Sequence, residues 1–328
     1  FAFLTGVTKF GKVSVFSDLN NLTDISMDHR YISICGMTEK ELLTNFKEGI
    51  SELAEANGDT EEATIAKLKA RYDGYHFEEN TVGIYNPFSV LNTLSRLRYK
   101  NYWFETGTPT FLVDLLKMHN YRLPDMTKER VSDDVINSVD SLSTNPIPVI
   151  YQSGYLTIKG YDERFKKYLL GFPNKEVEEG FLNFLLPLYC SAGDRSAFMV
   201  DEFVKDVEAG HVEQFMNRLT AFFADNSYQV AGEAELYFQN ALYLIFKIMG
   251  FHTQVEIPTS DGRMDVLIQT SDYIYIIECK LDGSAEEALQ QIEVKNYAAP
   301  FAMDKRTVVK LGINFSSKTR RVESWKHR

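Results

Sequence analysis

Gly262-Arg-Met-Asp-Val-Leu-Ile-Gln-Thr-Ser-Asp-Tyr-Ile-Tyr-Ile-Ile-Glu-Cys-Lys280 decides the fold of this chain. Two apolar, strand-like runs flank Ser271-Asp272, whose residue types suit a tight turn, so the segment reads as a β-hairpin. Asp265 lies six residues before Ser271, and Glu278 lies six after Asp272. A turn at those two residues makes Asp265 and Glu278 cross-strand partners on one sheet face. Lys280, two positions past Glu278, points the same way. Three charges then converge at one end of an otherwise apolar hairpin. Buried charge is costly unless it is paired or holds a metal, so the pattern points to a metal site with a lysine beside it.

The flanking residues extend this into a compact α/β pattern over residues 226–328. Glu233–Met249 is predicted helical, with Phe238, Leu242, Ile245, Phe246 and Met249 at helical spacing and Gly250 as the stop. Glu235 lies one turn before Phe238 and is expected on the side facing the sheet. Thr253–Ile257 reads as a strand. Ser284-Ala-Glu-Glu287 is a capping box opening a helix from Ala285 to Tyr297, with Ala285, Ala288, Leu289 and Ile292 as its apolar face and Gln291 beside that face. Val308–Ile313 reads as the last strand. From Lys305 to Arg328 there are eight Lys/Arg against Glu323 alone, which is either a solvated tail or a phosphate-contacting strip.

Glu-x-Lys is a weak signal by itself, and Glu293-Val-Lys295 repeats it on a helix. Context raises Glu278-Cys-Lys280, which ends an apolar strand and faces Asp265. Carboxylate oxygens with little His or Cys suit Mg²⁺ or Mn²⁺. Asp265 and Glu278 are the candidate metal ligands, with a carbonyl near Cys279 or water completing the shell. Lys280 is the candidate to orient water and offset anionic charge. Glu235 is a candidate for a second metal, and Gln291 for holding water or Lys280. The competing reading is an Asp–Lys–Glu salt-bridge cluster that only ties two strands together.

The chain has 328 residues, 44% hydrophobic and 25% charged, ordinary for a globular protein of two or three domains. No apolar run approaches the ~20 residues of a membrane helix. Cys35, Cys190 and Cys279 are odd in number and widely separated, which argues against a disulfide framework and suggests the cytoplasm. Net charge is −11; residues 226–328 carry 12 Lys/Arg and 13 Asp/Glu, and the remainder carries −10. That balance argues against a nucleic-acid-coated surface overall and leaves room for a protein partner of the acidic part. The start at Phe1 reads as the edge of a fragment.

Toward the N-terminus, Phe1–Thr5 and Lys12–Phe16 read as short strands. Gly6-Val-Thr-Lys-Phe-Gly11-Lys12-Val13 nearly fits a P-loop, but Val13 lacks the hydroxyl that binds Mg²⁺. A capping box at Thr38-Glu-Lys-Glu41 opens a helix. Glu52–Leu68 reads as helical and exposed. Tyr72–Phe77 and Tyr85–Val90 read as loops, with a helix from Ser89 or Pro87 toward Arg98. Thr108-Pro109 opens another through Lys117. Helical residues near Asp133–Val139, strand material over Val149–Lys159 and a second strand at Tyr168–Phe172 suggest a winged-helix-like unit over 118–175. Residues 176–225 read as a helical linker region.

Asp265…Glu278-x-Lys280, with helical Glu235 before and helical Gln291 after, resembles the PD-(D/E)XK nuclease superfamily, although Met264 stands where the motif has proline. The whole chain resembles bacterial proteins in which an AAA-ATPase-like domain precedes such a domain. Gly262–Asp265, Ala288–Ile292 and Lys295–Tyr297 resemble the C-terminal domain. Phe3–Phe10, Phe16–Leu22 and Tyr85–Ser89 resemble the ATPase-like half, and Tyr151–Ile158 and Pro173–Val177 the stretch between. The resemblance implies that residues 1–117 are the end of an ATPase-like domain whose ATP-binding Walker motifs precede Phe1. It makes Thr8 a candidate nucleotide sensor. It further implies a restriction-endonuclease-like mixed sheet flanked by helices over 226–328, hydrolysing DNA with Mg²⁺. A nucleotide-switched binding or signalling module with a silent nuclease-like domain is the rival reading; a stand-alone ATPase is disfavoured for want of an intact P-loop.

Overall fold

In a computed structural model, the described residues are 6, 23–106, 110–137, 145–188, 196–226, 234–250, 252–256, 259–260 and 263–328. They form twelve α-helices and nine strands. The chain divides into two compact units, residues 1–121 with 125–181, and residues 122–124 with 182–328. The expected strands at Phe1–Phe16, the near-miss P-loop and Thr8 fall outside the described residues.

The second unit carries the hairpin. Its sheet contains β4 (Gln254–Glu256), β5 (Thr259–Ser260), β6 (Arg263–Gln269), β7 (Tyr273–Leu281), β8 (Thr307–Ser316) and β9 (Arg321–His327). The order is β4-β6-β7-β8-β9, with β5 also on β6. All pairings are antiparallel except β7–β8. That parallel step requires a crossover, supplied by the helix Ala285–Val294. Ser284 and Glu287 close its capping box as the sequence predicts. The helix stops at Val294, three residues short of the predicted end.

Period-two alternation sorts the two faces of β7. Ile274 and Ile276 pack with Leu289 and Ile292 of the crossover helix. The opposite face meets the helices Ser196–Glu208, Val212–Asn226 and Ala234–Met249. There Tyr275 Oη donates to the Val207 carbonyl at 2.8 Å, and the Phe315 ring of β8 packs edge-on against Phe223 and tilted against Phe238. Phe238, Leu242, Ile245, Phe246 and Met249 are all buried, as their spacing predicts. The unit is therefore a mixed sheet between two helical layers.

The basic C-terminus departs from expectation. It is not a free tail: residues 321–327 form β9, an edge strand with register Ile313↔Trp325 and Gly312↔Lys326. Charge on an edge strand discourages pairing with other chains. Arg306 is bonded to Asp304, Lys310 to Glu293 and Lys326 to Glu286, so part of the strip's charge is neutralised within the unit.

The first unit is helical around a core that includes Leu42, Leu53, Leu68, Tyr72 and Tyr85. The Thr38–Glu41 capping box is present. The stretch read as one exposed helix over 52–68 is two helices, Lys47–Asn57 and Glu61–Tyr72, with Leu53 and Leu68 fully buried. Gly58, at φ 67°, takes the left-handed conformation that ends the first. Asn86 caps the helix Pro87–Arg96. Of the stretch Val149–Lys159 read as strand, residues 149–152 belong instead to the helix Ile147–Gln152, where Pro148 favours the first turn, and the strand begins at Thr157. A three-stranded sheet, β1 (Arg130–Val131), β3 (Lys167–Gly171) and β2 (Thr157–Asp162), follows the order β1-β3-β2.

The short segments that stood out in the sequence meet inside this unit. Asn86 N–H donates to the Tyr72 carbonyl. His76 N–H donates to Thr157 Oγ1, which donates back to the His76 carbonyl. Ser89 Oγ and the Trp103 N–H both donate to Glu176 Oε1. Glu176 is fully buried, and burial raises its pKa above the usual carboxylate range.

Two outcomes follow from this packing. A Cβ at Gly312 of β8 would collide with the Ala285 carbonyl of the crossover helix. Gly312→Ala should lower unfolding free energy by about 1–3 kcal/mol in urea denaturation. Glu176 holds its proton more tightly folded than unfolded, so stability falls as pH climbs from the unfolded-state pKa through the folded one. Glu176→Gln keeps the Oε1 acceptor and removes the charge. Its stability gain over wild type should be larger at about pH 7 than at about pH 4, and equal gains at both would contradict this account.

Candidate active site

The hairpin turn falls where its chemistry requires. Thr270 N–H donates to the Tyr273 carbonyl at 2.9 Å, and Tyr273 N–H donates to Thr270 Oγ1 at 3.0 Å. That closure fixes the register, in which Asp265 lies directly opposite Glu278 and Val266 opposite Ile277. A slip of one residue would move the charges to the other face. By register, Asp265 occupies a position on the Glu278 side of the sheet.

Glu278 has no solvent exposure, and Lys280 keeps 19% of its side chain exposed. Lys280 Nζ donates to Glu278 Oε1 at 2.7 Å and to Gln291 Oε1 at 2.5 Å. Gln291 reaches the lysine because the capped crossover helix lies over this face of β7. The structure therefore brings Glu278, Lys280 and Gln291 into one hydrogen-bonded cluster, with Asp265 opposite by register.

Glu235 stands one turn before Phe238, as its spacing requires. It is exposed on the first turn of the helix Ala234–Met249 and accepts a hydrogen bond from Gln239 at 3.1 Å. The apolar positions of that helix begin at Tyr237, so Glu235 lies before the buried stripe rather than on it. Thr8 lies outside the described residues.

Asn314 is a member that the sequence reading missed. It sits on β8 opposite Lys280 in the parallel register and is 2% exposed. Its Oδ1 accepts from Gly283 N–H at 2.9 Å and its Nδ2 donates to Glu323 at 3.1 Å. It thereby ties the β7–helix turn to the sheet. The signal was an amide within an apolar strand, hidden because that strand was ended at Ile313.

Among the described residues, no group of three or more His, Cys, Asp and Glu side chains is arranged to hold a metal. The donor chemistry of the Asp265–Glu278 register pair still fits a hard divalent cation. Both donors are carboxylates, and the Cys279 thiol belongs to the alternate position on β7. Carbonyl or water oxygens would complete such a shell. Cys279 and Cys35 are not in disulfides.

This mixed sheet, with carboxylates from paired strands and a lysine two residues on, is the framework of a nuclease-like domain. Residues 233–325 match the PD-(D/E)XK nuclease superfamily. The chain is also 32% identical over 332 residues to the uncharacterized protein in the vnfD 5′ region of Azotobacter chroococcum mcd 1. That similarity covers 98% of this chain and 62% of the relative, so the chain spans less than two thirds of the relative's length. No solved structure matches the chain. Among the described residues, no helix is long and apolar enough to cross a membrane.

Removing one partner of a buried ion pair leaves the other charge uncompensated. Without divalent cation, Lys280→Met should cost about 3 kcal/mol of unfolding free energy in chemical denaturation. Adding Glu278→Gln to that variant should recover part of the loss. A double variant no more stable than Lys280→Met would mean that the ion pair does not govern stability here.

Proposed function

We propose that the C-terminal domain hydrolyses DNA phosphodiester bonds with water as nucleophile, using Mg²⁺ or Mn²⁺ held by Asp265 and Glu278. The observation that carries this reading is the register pair Asp265↔Glu278 with Lys280 Nζ 2.7 Å from the Glu278 carboxylate, within residues matching a nuclease superfamily. The ion would supply Lewis-acid polarisation of the phosphoryl group. The chain's own groups do the rest. Lys280 donates toward the attacking water or the phosphoryl oxygens and offsets charge that accumulates on them. Gln291 fixes where that ammonium sits. Glu235, at the exposed start of its helix, acts in a second cation shell or through water. Basic residues of the β8–β9 region, including Lys318, contact backbone phosphates and supply a salt-sensitive share of affinity.

The ATPase-like reading of residues 1–117, the winged-helix-like reading of 118–175 and the nucleotide-sensing role of Thr8 rest on sequence resemblance. In this proposal the first unit regulates the second in response to ATP, in the cytoplasm. One observation favours the rival reading, a binding or signalling module with a silent nuclease-like domain. Lys280 and Glu278 already satisfy each other as an ion pair, which is all that a purely structural cluster requires. Such a module would use the acidic first part of the chain to engage a protein partner.

Supercoiled DNA incubated with the intact chain and Mg²⁺ separates the two readings. Asp265→Ala and Lys280→Ala should each lower the cleavage rate by about 100-fold or more while circular dichroism stays unchanged. Cleavage at the wild-type rate in both variants removes the mechanism, and its absence from the wild type, with and without ATP, favours the module.

A further inference from the structure

Lys280 has two seats. Its ammonium donates at once to a charged acceptor, Glu278 Oε1, and a neutral one, Gln291 Oε1. The first acceptor is also the carboxylate that the proposed function gives to the metal, and the second sits on a separate, capped helix. A cation approaching Glu278 therefore meets a positive charge already bonded to its ligand. Like charges within a few ångströms in a partly buried setting oppose each other strongly. Gln291 offers that ammonium an acceptor away from the carboxylate, without adding negative charge of its own.

We propose that Lys280 competes with the metal for Glu278, and that Gln291 is a positioning residue that draws the lysine aside and so raises metal affinity. This rests on the metal-dependent reading above and adds to it an internal brake on cation binding. Because the lysine is needed for cleavage and opposes binding, the two properties move in opposite directions when it is replaced. Gln291 acts only through Lys280, so its effect on affinity vanishes when the lysine's charge is gone.

Calorimetric titration of Mn²⁺ into the full chain tests this with wild type, Lys280→Met, Gln291→Leu and the double variant, each checked for folding by circular dichroism. Lys280→Met should bind Mn²⁺ about tenfold more tightly than wild type while losing cleavage. Gln291→Leu should bind several-fold more weakly, and the double variant should match Lys280→Met. Glu278→Ala should abolish the binding. Mn²⁺ affinity in Lys280→Met equal to or weaker than wild type overturns the competition while leaving the metal-dependent reading in place. A Gln291→Leu defect that persists in the double variant overturns the role given to Gln291. No Mn²⁺ binding by wild type or Lys280→Met removes the metal-dependent reading itself, and this inference with it.

Discussion

Glu278 is fully buried, and its charge has to be balanced inside the domain. That constraint organises everything around it. Its carboxylate cannot rely on water, so a cation must lie within bonding distance. Lys280 meets the requirement from two residues along the same strand, where alternation puts it on the same face. The lysine in turn needs acceptors, and Gln291 provides one from across the β7–helix turn. A charge placed this way is poorly suited to simple stabilisation, since an apolar replacement of similar shape is often as stable or more so. It is well suited to a site where a carboxylate must be held dry and aimed.

The rest of the domain makes that placement rigid. β7 is central, paired with β6 on one side and β8 on the other, so the backbone under Glu278 and Lys280 cannot shift without breaking a ladder, while the lysine's long side chain stays free to choose between its two acceptors. The parallel β7–β8 step brings the crossover helix across this face, and Gly312 allows it to approach closely. Asn314 fixes the turn between strand and helix through the Gly283 N–H. The opposite face is closed by Tyr275, bonded to the Val207 carbonyl, and by Phe315 packed against the rings of Phe223 and Phe238. Both faces of the sheet thus carry core packing, and the crossover-helix face carries the Glu278–Lys280–Gln291 cluster near its end.

Much of this was legible in the sequence because it depends on short-range rules. The turn at Ser271-Asp272 sets the Asp265–Glu278 register by counting, and the two capping boxes at Thr38 and Ser284 mark helix starts by spacing. The helix Ala234–Met249 shows itself through Phe238, Leu242, Ile245, Phe246 and Met249. What escaped depends on tertiary context. The basic C-terminus looked like a tail because its charges hide a strand whose reason for existing is β8 beside it. Residues 149–152 looked like the start of a strand because Val149 and Ile150 are branched and apolar, and the first-turn preference of Pro148 overrode them. Glu235 was placed on the sheet-facing side of its helix one turn before Phe238, and it is exposed because it sits in the first turn, ahead of the buried stripe. Asn314 matters through partners far away in the chain, which periodicity cannot reveal.

The central claim is that Asp265 and Glu278 together grip a divalent cation with Lys280 beside it. An anomalous-difference map from Mn²⁺-soaked crystals of this chain tests it most directly. A peak between the carboxyl groups of Asp265 and Glu278, with the Lys280 ammonium drawn toward Gln291, is the predicted result. Crystals in which Mn²⁺ binds elsewhere, and Lys280 stays on Glu278 with no peak between the two carboxylates, would contradict it.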